Sequence, residues 1–237
     1  MDKMNLDQHI SQQFNADLED LKTQLLEMGG LVERQVADAV NAISNADSRL
    51  AETVLENEPR IDEYEVNIDE QCTTVLARRQ PAAGDLRMVL AVSKTTRDLE
   101  RMGDEAKKIA QLALILCEEG VSPRGYVELR HIGNSVLKMI HHTLDAFARY
   151  DLNQALTVAR EDREVDREYK STMRELMTYM MEDPRSISRV LNVMWALRSL
   201  ERLGDHSRNI AEHLIYMVKG KDVRHVKLSE LAKQIEG

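Results

Sequence analysis

Four pairs of carboxylates, each spaced four residues apart, are the groups in this chain that could do chemistry. The pairs are Glu58 with Asp62, Glu100 with Asp104, Asp162 with Asp166, and Glu201 with Asp205. On a helix such spacing places both side chains on one face, about one turn apart, where like charges repel and call for a cation. If the pairs converged two by two, each set of four would offer hard oxygen ligands to Mg, Mn or Fe. An isolated pair means little. With 41 acidic residues in 237, roughly seven pairs of this spacing arise by chance, so only repetition raises these above background.

The repetition is in the sequence. Arg97-Asp-Leu-Glu-Arg-Met-Gly-Asp104 returns 101 positions later as Arg198-Ser-Leu-Glu-Arg-Leu-Gly-Asp205, and Ile109 and Ala110 are matched by Ile210 and Ala211. Further matches run at an offset of 104: Ala42, Asp47, Ala51, Val54 and Asp62 correspond to Ala146, Asp151, Ala155, Val158 and Asp166, with Glu58 facing Asp162 in the comparison. The offset changes across the loops at Pro81 and Pro184, where an insertion leaves helix packing intact. A chain built this way consists of two related halves. Gly103 and Gly204 repeat as well, and a helical glycine costs about 0.8–1 kcal/mol relative to alanine, so the position implies close approach by another helix or a ligand.

Two readings of the carboxylates stay open. Arg97 can pair with Glu100, Arg101 with Asp104 and Glu105, and Arg198 with Glu201; with Arg202 these motif arginines would make a charge-balanced surface or a partner contact. In the other reading, divalent or iron-type metal ions sit at the two carboxylate clusters.

The elements that position these groups are helices. Leu18, Leu21, Leu25, Met28, Val32, Val36, Val40 and Ile43 recur at three- and four-residue steps, the pattern of a long helix with one buried face. Breakers at Asn45 to Asp47, Pro59, Pro81 to Gly84, Gly120 to Gly125, Tyr150 to Asn153, Pro184 and Gly220 divide the chain. The pattern predicts helices at about 6–44, 47–57, 60–80, 85–119, 125–150, 153–182 and 186–219. The expected fold class is all-α, with two pseudo-symmetric three-helix bundles at 1–121 and 122–237; in the first, the second helix is interrupted at Pro59.

Composition supports this and removes several function classes. Hydrophobic residues are 43%, aromatics 4%, and prolines four, a helical balance. The net charge of -9 argues against broad nucleic-acid binding, which needs a basic face. Cys72 and Cys117 lack partners at metal-ligand spacing and read as reduced, buried thiols. The longest apolar run, Leu112 to Cys117, is too short to cross a bilayer, so a membrane role would pass through partners. Neither a Gly-rich phosphate loop nor a nucleophile with an assignable base is visible, and no enzyme is expected. Glu128 and His131 form a single Glu-x-x-His, whereas a di-iron oxidase wants two. Trp195 and Met173, Met177, Met180 and Met181 read as core or interface packing.

The doubled R-x-L-E-R-[ML]-G-D resembles the PhoU family of bacterial phosphate-signalling regulators. Gln13 to Ala16, Met28 to Gly30, Ala77 to Pro81, Leu144 to Ala148 and Leu176 to Asp183 match it too, so the resemblance covers essentially the whole chain. It implies a cytoplasmic protein, often a homodimer, that represses the phosphate-starvation response when phosphate is plentiful. In that role it would link the high-affinity phosphate ABC transporter, through its ATPase, to a membrane sensor histidine kinase. The family's metal motif, an acidic residue and then Asp four positions on, falls on the same eight carboxylates, and some members resemble multinuclear iron binders there. A metal-binding or metal-storing helical protein is the alternative function.

Overall fold

Two aspartates set the pattern of the fold. Asp47 accepts a hydrogen bond from the Leu50 amide, and Asp151 accepts from the Asn153 and Gln154 amides, so each caps the start of a helix. The residue before each cap, Ala46 or Tyr150, has a left-handed backbone, with φ of 53° and 55°. These matched corners turn the chain back on itself in both halves. The structure, a computed structural model, describes residues 12–119, 127–224, 226, 230 and 232.

Seven α-helices follow: α1 (Gln12–Asn45), α2 (Ser48–Asn57), α3 (Pro59–Arg79), α4 (Ala83–Glu118), α5 (Val127–Arg149), α6 (Leu152–Glu182) and α7 (Ile187–Lys219), with a 3-10 turn at Pro184–Ser186 before the last. All seven expected helices are present. The expected helix start at residue 6 and the boundary between 121 and 122 lie outside the described residues. Pro59 occupies the first turn of α3, where its missing N–H costs nothing but cannot bond back into α2. At the matching place in the second half stands Arg163, and α6 runs unbroken for 31 residues. The second rod is therefore α2 with α3 in one bundle and α6 in the other.

Every residue of the α1 stripe is buried, none more than 2% exposed. The apolar faces of both halves merge into one continuous core. The halves join through α1 against α5 and α4 against α7, while α3 and α6 pack on their own halves and form the outer flanks. The α1–α5 contact is reciprocal. A Cβ on Gly29 would stand 2.5 Å from Leu144 Cδ2, and one on Gly133 would stand 2.6 Å from Val40 Cγ1. Gly29 and Gly133 are equivalent at the 104 offset, as are Val40 and Leu144, so each half seats a side chain of the other on its own glycine. Such close packing of helix on helix requires the missing Cβ.

No helix among the described residues is long and apolar enough to cross a membrane. Of the two readings of Trp195 and the α6 methionines, core or interface packing, the core one fails: Trp195 is 63% exposed, Met181 75% and Met177 45%, and Met173 and Met180 are half-buried. They lie on the outer faces of α7 and α6. Cys72 is buried and Cys117 half-buried, and both are free thiols. Burial pushes the Cys72 thiol up to about 12, which keeps it protonated and unreactive.

Candidate acidic site in each half

In the first half, Glu58 sits at the junction of α2 and α3, Asp62 in the first turn of α3, and Glu100 and Asp104 on the facing side of α4. Lys107, one turn beyond Asp104, donates to Glu58 Oε1 at 2.8 Å. The four carboxylates share one field. Burial raises the Asp62 carboxyl, Glu58 and Asp104 raise it further, and Lys107 opposes them. Glu100 is raised by burial and then by Asp104, Glu65 and Asp62, against Arg101. Glu65, one turn along α3 from Asp62, belongs to the same cluster, its carboxyl raised by burial, Asp69 and Asp62. Sequence reasoning missed it because its counterpart falls outside the repeated pairs.

The second half repeats the arrangement in a deeper setting. Asp162 on α6 is only 5% exposed, and burial, helped by Asp205 and Asp166 and opposed by Arg208, pushes its carboxyl up to about 6. Arg208 on α7 approaches it at 3.4 Å and also donates to Glu212 at 3.1 Å. Glu201 is raised by burial, then by Asp205, Asp166 and Asp162, and Asp205 by burial and Asp166. The expected carboxylates of each half thus face one another across the seam between its second and third rods, near enough to perturb one another's charge.

The repeated glycine lies under this seam. A Cβ on Gly103 would stand 2.8 Å from Ile61 Cδ1, so α3 approaches α4 closely there; on Gly204 the nearest atoms, from Asp162, Met139 and Val165, are all 3.8 Å away. The expected close approach is by a helix, and it is tight only in the first half.

The donor set suits a hard ion in its chemistry, being all carboxylate oxygen. Glu58 and Asp162, however, are already engaged by Lys107 and Arg208, Glu201 by Arg198 and Asp166 by Lys170. Among the described residues no group of three or more His, Cys, Asp or Glu side chains is gathered closely enough to hold an ion. An ion bound here would have to draw in the outer carboxylates, Asp62, Glu100 and Asp104 in one half and Asp166, Glu201 and Asp205 in the other.

Comparison with known proteins fits this doubled arrangement. The PhoU domain model matches twice, over residues 25–113 and 129–214, once in each half. The chain belongs to the PhoU family. It is 62% identical over 236 residues to the phosphate-specific transport system accessory protein PhoU homolog of Pseudomonas aeruginosa, covering 100% of this chain and 98% of that one. With the accessory protein PhoU of Escherichia coli it shares 48% over 237 residues, at 100% and 98% coverage. The crystal structure of PhoU from Pseudomonas aeruginosa superposes with a TM-score of 0.86 at 64% identity, covering 88% of this chain and 100% of that one. The phosphate transport system regulatory protein PhoU from Streptococcus pneumoniae gives 0.81 at 30% identity, covering 89% and 99%.

In this PhoU-family chain the motif arginines divide between surface and seam. Arg198 pairs with Glu201 at 2.8 Å, as expected. Arg202 reaches across to Glu105 on α4 at 2.9 Å, and Lys108 meets the same oxygen at 3.0 Å, so Glu105 is not the partner of Arg101. Arg97 and Arg101 lie toward Glu65, and Arg101 toward Glu100, without closing an ion pair among the described residues. Asp98 was read only as a variable position of the octapeptide. It accepts from His206 Nδ1 at 2.8 Å, His213 Nε2 at 3.0 Å and Asn209 at 3.2 Å, tying α4 to α7. Burial alone would raise its carboxyl, but these three hydrogen bonds outweigh burial and hold it at about 2. His131 meets Glu168 on the exposed surface at 3.4 Å.

Proposed function

We propose that this chain is a cytoplasmic accessory regulator of phosphate transport that represses the phosphate-starvation response. It acts as an adaptor between the ATPase of the high-affinity phosphate ABC transporter and the phosphate sensor histidine kinase. The observation that carries this reading is identity of 62% and 48%, over the whole chain, to proteins named as accessory to the phosphate-specific transport system. The geometry is compatible with work through protein contacts: long helices, charged outer faces and a seam knitted by ion pairs. The same resemblance carries a homodimer, which sedimentation at two concentrations reads directly. The test of the adaptor reading is a binding experiment with the purified transporter ATPase and the isolated sensor region of the kinase. Retention of both is expected; failure to retain either one sinks the adaptor role.

A second reading rests on the raised carboxyls. Glu58, Asp62, Glu100 and Asp104, with Asp162, Asp166, Glu201 and Asp205, would bind a divalent or ferric ion in each half, which would relieve the repulsion that adds to burial in raising Asp62, Glu100, Glu201 and Asp205. Elemental analysis of the purified protein beside a Glu100→Gln, Asp104→Asn variant tests it. Metal content unchanged by those substitutions refutes the ligand assignment.

A further inference from the structure

The seam between α4 and α7 is antiparallel, because rising positions on α4 meet falling positions on α7: Lys94 with Tyr216, Asp98 with His206, Glu105 with Arg202 and Glu119 with Arg189. The offset of 101 therefore relates its two ends. At one end the space is filled. Lys94 lies 5.4 Å from the Tyr216 ring centre, and the Asp98 carboxylate is gripped by His206, Asn209 and His213. At the other end the equivalents of Lys94, Asp98 and Tyr216 are Trp195, Ser199 and Ile115. Ser199 has no carboxylate to offer, and a cavity of about 470 Å³ lies open there between Glu105, Lys108, Leu112, Trp195 and Arg202.

The chemistry of this groove differs from that of the surface around it. One buried oxygen, Glu105 Oε1, receives both Lys108 and Arg202, and Arg198, itself held by Glu201, lines the same space, so three cations meet two carboxylates here on a protein of net charge -9. The floor and rim are apolar. Trp195 is 63% exposed, Ile115 43%, and Leu191 and Ile187, one and two turns before Trp195 on α7, are 42% and 43% exposed. Residues four apart line one face, so this strip extends for about 12 Å along the helix. A strip of that length beside a cationic groove suits a helix that presents an apolar face flanked by carboxylates.

We propose that the groove at the Trp195 end of the α4–α7 seam docks an acidic amphipathic helix of a partner protein. A carboxylate of that helix meets Arg202 and Lys108, which stands where Asn209 holds Asp98 at the other end, and its apolar face lies on Trp195, Leu191 and Ile115. The inference deepens the adaptor reading, and rests on it for the claim that a partner exists.

The test uses two synthetic helical peptides of about 15 residues, free of Trp and Tyr, with Leu at positions 1, 5 and 8 and either Glu or Lys flanking them. Trp195 is the single tryptophan of the chain, so its emission reports the groove alone. The Glu peptide should shift that emission to the blue and saturate, with the Lys peptide at least tenfold weaker. Ser199→Asp, which supplies the missing carboxylate, should weaken the Glu peptide at least tenfold, and the exposed Lys108→Gln at least threefold, with circular dichroism unchanged. Equal binding of the two peptides, or Glu-peptide binding unaffected by Lys108→Gln, overturns the proposal. So does a Trp195 emission that is already blue and moves to the red as a dimer dissociates on dilution, since the groove would then belong to a second copy. None of these outcomes touches the binding experiment with the transporter ATPase and the kinase, so failure of the groove and failure of the adaptor role are separable.

Discussion

Lys107 donates to Glu58 at 2.8 Å, and Arg208, which stands at the equivalent place 101 positions later, meets the Glu58 counterpart Asp162 at 3.4 Å. Each acidic cluster thus carries its own built-in cation, supplied by the third rod one turn beyond the octapeptide. The pairing explains how four carboxylates can gather in each half of a folded protein. In the first half it leaves Asp62, Glu100 and Asp104 without an ion pair among the described residues, whereas in the second Glu201 is also held by Arg198 and Asp166 by Lys170, leaving Asp205.

Removing the cation should expose the cost of the acid it covers. Lys107→Met leaves Glu58 uncompensated beside Asp62 and Asp104 and is expected to cost about 1–3 kcal/mol. Arg208→Met should cost at least as much, because Asp162 is the more buried acid. Urea unfolding at pH 7 measures both, and adding Glu58→Gln to Lys107→Met should recover most of the loss. A loss that persists in the double variant means that Lys107 acts through packing of its stem rather than through charge.

The two perturbed aspartates predict opposite pH dependence. Asp162 is raised from 3.8 to about 6, so the folded protein keeps this proton to higher pH than the unfolded chain does. Its contribution to stability is full below about pH 4 and is lost as pH rises through about 6. Asp162→Asn should therefore gain, relative to the parent, on the order of 2–3 kcal/mol between pH 4 and pH 7. Asp98 is lowered from 3.8 to about 2, so its contribution is present above about pH 4 and is lost as pH falls toward 2. The cost of Asp98→Asn should shrink over that interval. Denaturant melts across the pH range check both, and parallel curves for parent and variant would remove the named group as the cause.

The repeated glycines should part company on substitution. Gly103→Ala forces Ile61 to move from a 2.8 Å approach and is expected to destabilise by about 1–3 kcal/mol. Gly204→Ala meets only ordinary contacts at 3.8 Å and should be neutral, or stabilising by up to about 1 kcal/mol through helix propensity. Thermal melts of the two variants decide; equal losses would mean that α6 approaches α7 more closely than the structure has it.

Ion binding, if the outer carboxylates support it, must compete with protons. Because Glu201 and Asp205 are raised, Mn binding should tighten as pH rises and these carboxyls lose their protons, and should raise the melting temperature. Glu201→Gln with Asp205→Asn should abolish the gain contributed by the second half. A melting temperature that Mn leaves unchanged at pH 7 argues for the salt-bridged reading.

Much of this was legible because the chain states it twice. Helix periods, the chain breaks near Asp47 and Asp151, the interruption at Pro59 and the matched carboxylates follow from local chemistry. What was not legible lies where the copies differ or where the halves meet. Lys107 and Arg208 escape a search for identical residues although both are cations. Asp98 stands opposite Ser199, and its three donors come from a helix more than 100 positions away. Periodicity shows that a face is buried but not which helix covers it, so the Gly29–Leu144 and Gly133–Val40 exchange has no local signature. Apolar type and helical spacing left core and interface packing equally open for Trp195, which stands exposed beside an open groove.

The central claim is that this chain holds phosphate-starvation signalling off when phosphate is abundant. A strain lacking the gene, grown in high phosphate with a starvation-responsive reporter, measures that most directly. Constitutive reporter expression, returned to its repressed level by supplying this chain, is the predicted result. A reporter that stays repressed in high phosphate without the protein would contradict the account.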